Sequence, residues 1–181
     1  MSFHYEIRLS GEGGQGLVLA GKVLTEAAAI YEDMNATQSQ SYGPEARGGA
    51  SRSEVIVSDS EIDYPEVTEA DILLCMSQQA CDKYYAATKR NGLLIVDSTH
   101  VKRTPTMRAI KADFSGWAIE STEREITASV VALGFLVGLT DLFPREALEA
   151  AVLARTPKGT GEMNLKAAAR GFAEAEAFKQ T

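Results

Sequence analysis

Gly11, Gly13 and Gly16 stand between two different hydrophobic periods, and that junction constrains the fold more than any other stretch of the chain. Before it, Phe3, Tyr5, Ile7 and Leu9 alternate with His4, Glu6 and Arg8. This is the period of a strand with one apolar face. After it, Leu17, Ala20, Leu24, Ala27 and Tyr31 recur at helical spacing, which predicts a helix to about Ile30. Strand, glycine loop and helix form the opening unit of an α/β domain, and the spacing Gly-x-Gly-x-x-Gly fits the dinucleotide fingerprint. Glycines permit positive φ and close backbone approach, while the free N–H groups at a helix start attract an anion.

Three readings of this loop stay open, with Gly13, Gly14, Gln15 and Gly16 as its candidate binding residues. It holds a nucleotide by itself, or it only permits close strand–helix packing, or it faces a partner subunit and that subunit's cofactor. Three features count against a plain nucleotide site. The first strand alternates, whereas a central strand of this kind is usually apolar on both faces. Glu12 would repel a phosphate placed directly on the loop. Glu32 and Asp33 stand near the ribose-binding spacing but follow a helix with no clear second strand before them.

The rest of the chain alternates in the same way. Residues 35–53 carry few large apolar side chains and read as a functional loop or as a short strand plus loop. Glu54 to Val57 and Ile62 to Tyr64 flank Ser58-Asp59-Ser60-Glu61, the pattern of a hairpin. Ala70 to Cys75 and Leu93 to Asp97 are short apolar runs, each predicting a strand covered on both faces. Ser77 can cap a helix over about Gln78 to Arg90, with Asn91-Gly92 as its stop. A further strand is expected within Met107 to Ala112. Thr122 to Glu125 fits a capping box for a helix to about Leu139. Pro144 suits the first turn of the next helix, to about Ala154, and Asn164 to Phe178 forms a last amphipathic one. The sum is a three-layer Rossmann-like α/β domain spanning residues 1–181. Its sheet is largely parallel, with a hairpin and a helical C-terminal third.

Composition narrows the function. The net charge of -7 argues against nucleic acid, whose binders carry a basic footprint. The longest apolar stretch, Ala128 to Leu139, is too short for a bilayer, so no membrane association is expected and a cytoplasmic setting is. The chain has 2 cysteines and 2 histidines, too few for a cluster of four thiolates or a protein-only zinc site, so no metal site is expected on it. No nucleophile–base set is evident, so no catalytic residue is assigned.

The most distinctive stretch is Gln38 to Arg52, which concentrates amides, hydroxyls, an aromatic ring and two arginines between glycines. Such a loop presents a polar surface on a rigid scaffold, and Arg47 can grip a carboxylate or phosphate with two donors. Gly-Glu-Gly-Gly-Gln-Gly at 11–16, followed by Tyr42-Gly43-Pro44-Glu45-Ala46-Arg47-Gly48-Gly49, resembles the gamma subunit of the 2-oxoacid:ferredoxin oxidoreductases. This family includes the pyruvate and ketoisovalerate enzymes. The resemblance extends through the Ala70 to Cys75 and Gly92 to Asp97 segments, and the loop is most similar to the 2-oxoglutarate branch.

What the resemblance implies is a subunit of an oxidoreductase that acts on an oxo group with an iron–sulfur protein as acceptor, and that is inactive alone. Thiamine diphosphate and iron–sulfur clusters would sit on alpha, beta and ferredoxin-like delta partners, with coenzyme A as co-substrate. Gly13, Gly14, Gln15 and Gly16 would line a pocket at the helix terminus, with Ser77 beside them at the carboxyl edge of the sheet. Tyr42, Glu45 and Arg47 would line the subunit junction near the active site or coenzyme A channel. Ser77 also reads as a plain helix cap, and Cys75 as a small core residue. An isolated chain would expose its subunit interface, which opens a route to homodimers. The competing reading is a stand-alone nucleotide- or coenzyme A-binding protein.

Overall fold

A computed structural model describes residues 3–41 and 49–181. Its strands are β1 (His4–Glu12), β2 (Asn35–Ser41), β3 (Ala50–Ser58), β4 (Ala70–Cys75), β5 (Thr88–Asp97) and β6 (Ile110–Ala112). They form one sheet in the order β2-β3-β1-β4-β5-β6. β3 runs antiparallel to both neighbours, and the pairings from β1 through β4 and β5 to β6 are parallel. The sheet is therefore largely parallel with one reversed strand, and the Rossmann-like expectation holds.

The helices are α1 (Leu17–Glu26), α2 (Gln78–Tyr84), α3 (Phe114–Thr122), α4 (Ala128–Thr140), α5 (Arg145–Arg155) and α6 (Gly161–Lys179). Their distribution over the sheet is uneven. Ile7 and Leu9 of β1, Val55 and Val57 of β3, Ile72 and Leu74 of β4 and Ile95 of β5 point to one face, where α1, α3, α4, α5 and α6 bury them. α4 lies at the centre of this layer, and its residues from Ala128 to Val137 are all buried. A helix apolar all round its circumference needs such a place. Leu73, Cys75, Leu94 and Val96 point to the other face, where they meet Ala80, Cys81 and Tyr84 of α2. The result is three layers, one thick and one thin.

Several sequence expectations need correction. The hairpin over 54–64 does not form. β3 pairs instead with β2 and β1, Ile62 packs against Ile56, Val67 and Ala70, and Tyr64 is exposed. For residues 35–53, of the two readings offered, the short strand plus loop is the one that holds: residues 35–41 form the edge strand β2. Its partial exposure explains its polar composition. The helix after Ser77 ends at Tyr84, a tight turn follows over Tyr85–Ala87, and Asn91-Gly92 lies inside β5. There the register slips between Ala70 and Ile72, and a Cβ on Gly92 would lie 2.9 Å from the Ala70 carbonyl oxygen. Asn91-Gly92 marks a bulge where the backbones approach, not a helix stop.

The capping box at Thr122 is also absent. Thr122 ends α3, a helix not expected from the sequence, and its hydroxyl donates to the Ala118 carbonyl at 2.8 Å. The cap of α3 is Asp113, whose carboxylate accepts from the Gly116 N–H. α3 is held by aromatic packing: Phe114 and Trp117 meet Phe135 of α4, which in turn meets Phe178 of α6.

The alternation in β1 has a different meaning from a solvent-facing strand. Arg8 is 2% exposed and Glu54 6% exposed, although both sit on the polar face. Arg8 Nε donates to Glu54 Oε1 at 2.7 Å, and its terminal nitrogens donate to the carbonyls of Ala87 and Val67. β1 is covered on both faces, and a buried ion pair covers the second one. The alternation therefore gives no argument against a central strand.

Candidate crevice at the switch point

β1 and β4 are adjacent and parallel, but the chain leaves them in opposite directions. After β1 it enters α1 on the thick face, and after β4 it enters α2 on the thin face. Open α/β sheets bind ligands in the crevice that such a divergence opens at the carboxyl ends of the strands. Two cavities occupy that crevice. One, of about 470 Å³, is lined by Glu12, Gln15, Ser77, Gln78, Gln79, Asp82 and His100. The other, of about 230 Å³, includes Gly14, Gln15, Met76, Ser115, Glu125 and Ile126 in its lining.

Gln15 divides the two. Its Oε1 accepts from the Glu12 N–H at 2.7 Å and its Nε2 donates to the Met76 carbonyl at 2.9 Å, so the glycine loop is tied to the end of β4. Gly14 and Gly16 have φ of 90° and 78°, and a side chain at either would strain the backbone. Gly16 is the N-cap of α1 and offers no side-chain cap there. A Cβ on Gly13 or Gly14 would meet no atom within 4 Å. These two glycines face open space, while Gly16 lies close to Ser129 at the start of α4.

The far wall is stapled by Gln78. Its Oε1 accepts from the Lys102 and Arg103 N–H groups, and its Nε2 donates to Asp82 and to the Arg103 carbonyl. Ser77 caps α2, its hydroxyl accepting from the Ala80 N–H at 3.2 Å. Asp97 ends β5 fully buried, and its carboxylate accepts from the Ser115 hydroxyl at 2.6 Å and the Thr99 N–H at 3.3 Å. That anchor positions the loop carrying His100, whose Nε2 lies 2.7 Å from Glu125 Oε1. The His100–Glu125 contact joins the linings of the two cavities.

The structure thus brings Gly14, Gln15 and Ser77 into one crevice, with Gly13 and Gly16 on the same loop. Tyr42, Glu45 and Arg47 lie outside the described residues. Their flanking strand ends are placed: Ser41 pairs with Arg52, and Ser51 pairs with Gly11, at the same sheet edge as the glycine loop. Glu32 and Asp33 fall at the opposite edge. They precede β2, which runs in the same direction as β1, so they do not serve a ribose at the glycine loop.

The model of the family described as pyruvate ferredoxin/flavodoxin oxidoreductase matches residues 6–174. The chain belongs to this family. It is 48% identical to the 2-oxoglutarate synthase subunit KorC of Methanocaldococcus jannaschii, over 92% of this chain and 91% of that one. It is 45% identical to the protein of the same name from Methanothermobacter thermautotrophicus, over 90% of each. Among solved structures, the keto/oxoacid ferredoxin oxidoreductase gamma subunit from Geobacter sulfurreducens superposes with a TM-score of 0.87 at 48% identity. That match covers 97% of this chain and 98% of that one. The 2-oxoglutarate:ferredoxin oxidoreductase from Magnetococcus marinus shares the fold, with a TM-score of 0.82 at 19% identity. The match covers 96% of this chain and 31% of that one.

Within this family fold, sequence reasoning missed Glu12 as a lining residue, and also Gln79, Asp82, His100, Ser115, Glu125 and Ile126. Only Glu12 carried a local signal, its place inside the glycine motif. The others come from α2, α3, the turn before α4 and the loop carrying His100, which meet through sheet topology that no spacing in the sequence encodes. No three His, Cys, Asp or Glu side chains converge as a metal site among the described residues. Nor does any helix among them have the length and apolarity to cross a membrane.

Proposed function

We propose that this chain is the gamma subunit of a 2-oxoacid:ferredoxin oxidoreductase of the 2-oxoglutarate type, and that its switch-point crevice receives coenzyme A. The reaction converts a 2-oxoacid, coenzyme A and oxidised ferredoxin to an acyl-CoA, carbon dioxide and reduced ferredoxin. Thiamine diphosphate supplies the carbon chemistry and iron–sulfur clusters the electron path, and both belong to the alpha, beta and ferredoxin-like delta partners. The donor set fits that division, since a cluster takes about four thiolates and this chain has 2 cysteines.

The observation that carries the reading is the open glycine loop beside the divergence of β1 and β4. Gly13 and Gly14 leave the backbone bare, and Gln15 is already hydrogen-bonded at both ends of its amide. A phosphate-bearing ligand can then approach the start of α1, where N–H groups lack a side-chain cap. This chain's part is to bind and orient; it supplies no reacting group. Gln78 and Asp97 hold the walls, and Tyr42, Glu45 and Arg47 are assigned to contacts with the partner subunits.

The test is Gly13→Glu in the assembled complex. A Cβ at this position meets no atom of this chain within 4 Å, so the fold survives, and intact assembly is verified by size-exclusion chromatography before the kinetics, while the added charge opposes a phosphate. The KM for coenzyme A should rise about tenfold or more, the equivalent of roughly 1.4 kcal/mol, with kcat little changed. An unchanged KM would place coenzyme A elsewhere. Purification of the native complex checks the partners, and a chain that functions without thiamine and iron–sulfur subunits would overturn the assignment.

A further inference from the structure

Ser129 is the second residue of α4 and 3% exposed, and its hydroxyl has no hydrogen-bond partner among the described residues. Other helical hydroxyls of this chain behave differently. Thr25 in α1, Ser121 in α3 and Thr140 in α4 each donate to the carbonyl four residues earlier. Ser129 makes no such bond back to its own helix. A Cβ on Gly16 would lie 3.0 Å from Ser129 Oγ, so the hydroxyl faces the residue that caps α1. Beyond the loop itself, only Ser129 approaches that point within 4 Å. A buried polar group without a partner costs stability, and its persistence calls for a reason.

The surroundings supply one. Three helices begin at the cavity of about 230 Å³. Gly14 and Gln15 lead into α1, and Ser115 is the second residue of α3. Glu125 and Ile126 belong to a tight turn over Glu125–Thr127 that runs into Ala128, the first residue of α4. Asp113 caps α3, but neither the start of α1 nor the turn into α4 has a side-chain cap. Helix starts carry free N–H groups and partial positive charge. The volume is below the roughly 300–1,000 Å³ of sites for whole small molecules, so it suits one group of a larger ligand. The carboxylate in this lining, Glu125, is already paired with His100 at 2.7 Å.

We propose that the starts of α1 and α4 form a subsite for a single phosphate group, to which the Ser129 hydroxyl donates. This rests on the reading that the crevice receives coenzyme A, and it assigns one phosphate of that molecule to the smaller cavity. The larger cavity is lined by Glu12 and Asp82, whose charge disfavours a phosphate, and it is left for uncharged parts of the ligand. A phosphate oxygen accepts well from a hydroxyl and from helix-start N–H groups. Gly16 keeps the approach open, because any side chain there would press on Ser129 Oγ.

The test is Ser129→Ala in the assembled complex, with Gly13→Glu as its reference. The hydroxyl has no partner within the chain, so its removal should leave the melting temperature of the ligand-free complex unchanged or raise it. The KM for coenzyme A should rise about tenfold, by more than kcat falls, as expected for the loss of one hydrogen bond to a charged group. Inorganic phosphate should compete with coenzyme A more strongly than chloride at equal ionic strength, and should lose that advantage in Ser129→Ala. A lowered melting temperature would make the hydroxyl part of the fold's own bonding and overturn the proposal, as would failure of phosphate to compete. If Ser129→Ala leaves the KM unchanged while Gly13→Glu raises it, the subsite falls and the crevice reading stands. If neither variant raises the KM, both fall.

Discussion

The two faces of the sheet are built from the same strands by different physics. On the thick face Ile7, Leu9, Val55 and Val57 meet α1 and the C-terminal helices, and stability comes from apolar burial and close packing. On the thin face the neighbouring positions Arg8 and Glu54 form a buried ion pair. Arg52 Nε stands 3.3 Å from the same Glu54 oxygen, and the guanidinium groups of Arg8 and Arg52 lie 5.8 and 5.5 Å from the centre of the Tyr84 ring. A face covered by one short helix is closed by charge pairing and hydrogen bonds to loop carbonyls. Apolar packing tolerates substitutions that conserve volume, whereas a buried ion pair does not tolerate the loss of one partner.

The sharpest way to break this comparison is Arg8→Met. It leaves Glu54 buried with a poorly aligned Arg52 as its remaining cation, and unpaired buried charge costs about 3–5 kcal/mol. Urea denaturation should show that loss. The double variant Arg8→Met/Glu54→Leu should recover most of it, because the charge that needed a partner is gone. If the single variant loses less than about 1 kcal/mol, the thin face is not held by the ion pair.

On the thick face the comparable test is Gly171→Ala. A Cβ there would press on the Val131 carbonyl and the Phe135 N–H of α4, groups that cannot rotate away. Alanine favours a helix over glycine by about 1 kcal/mol, so an isolated α6 would gain from the change. Overpacking against backbone outweighs that gain, and a net loss of about 1–3 kcal/mol is expected in the same urea measurement. A stabilised variant would mean that α4 and α6 separate freely, and that the thick face is the looser of the two.

The same contrast explains which elements the sequence made legible. β1, α1, β4 and the apolar part of β5 carry local periodicity, and each appears where it is expected. The glycine loop and Ser77 were legible because a turn and a cap have short signatures. β2 was legible only as one of two alternatives, since Asn35 to Ser41 is polar and its strand character comes from pairing with β3. α3 was missed because its hold is tertiary, through Phe114 and Trp117 on Phe135. The burial of Arg8 was not legible because its partners, Glu54, Val67 and Ala87, lie 46, 59 and 79 positions away. The crevice divides in the same way. Gly14, Gln15 and Ser77 could be named from spacing, while His100 and Glu125 meet only after β5, α3 and the loops between them are in place.

The smallest effect is expected where the thin face meets the crevice, in Ser77→Ala. The Ser77 hydroxyl accepts from the Ala80 N–H, and loss of such a cap costs about 1 kcal/mol. Ser77 is nearly buried yet lines the larger cavity, so a cap and a ligand contact make separable demands on it. If capping is its whole role, the melting temperature of the complex falls by a few degrees, the KM for coenzyme A is unchanged, and Ser77→Thr restores the melting point. A KM increase in Ser77→Ala that Ser77→Thr does not reverse, despite restored stability, would show that the hydroxyl serves the ligand directly. In that case the thin face contributes to recognition as well as to closing the sheet.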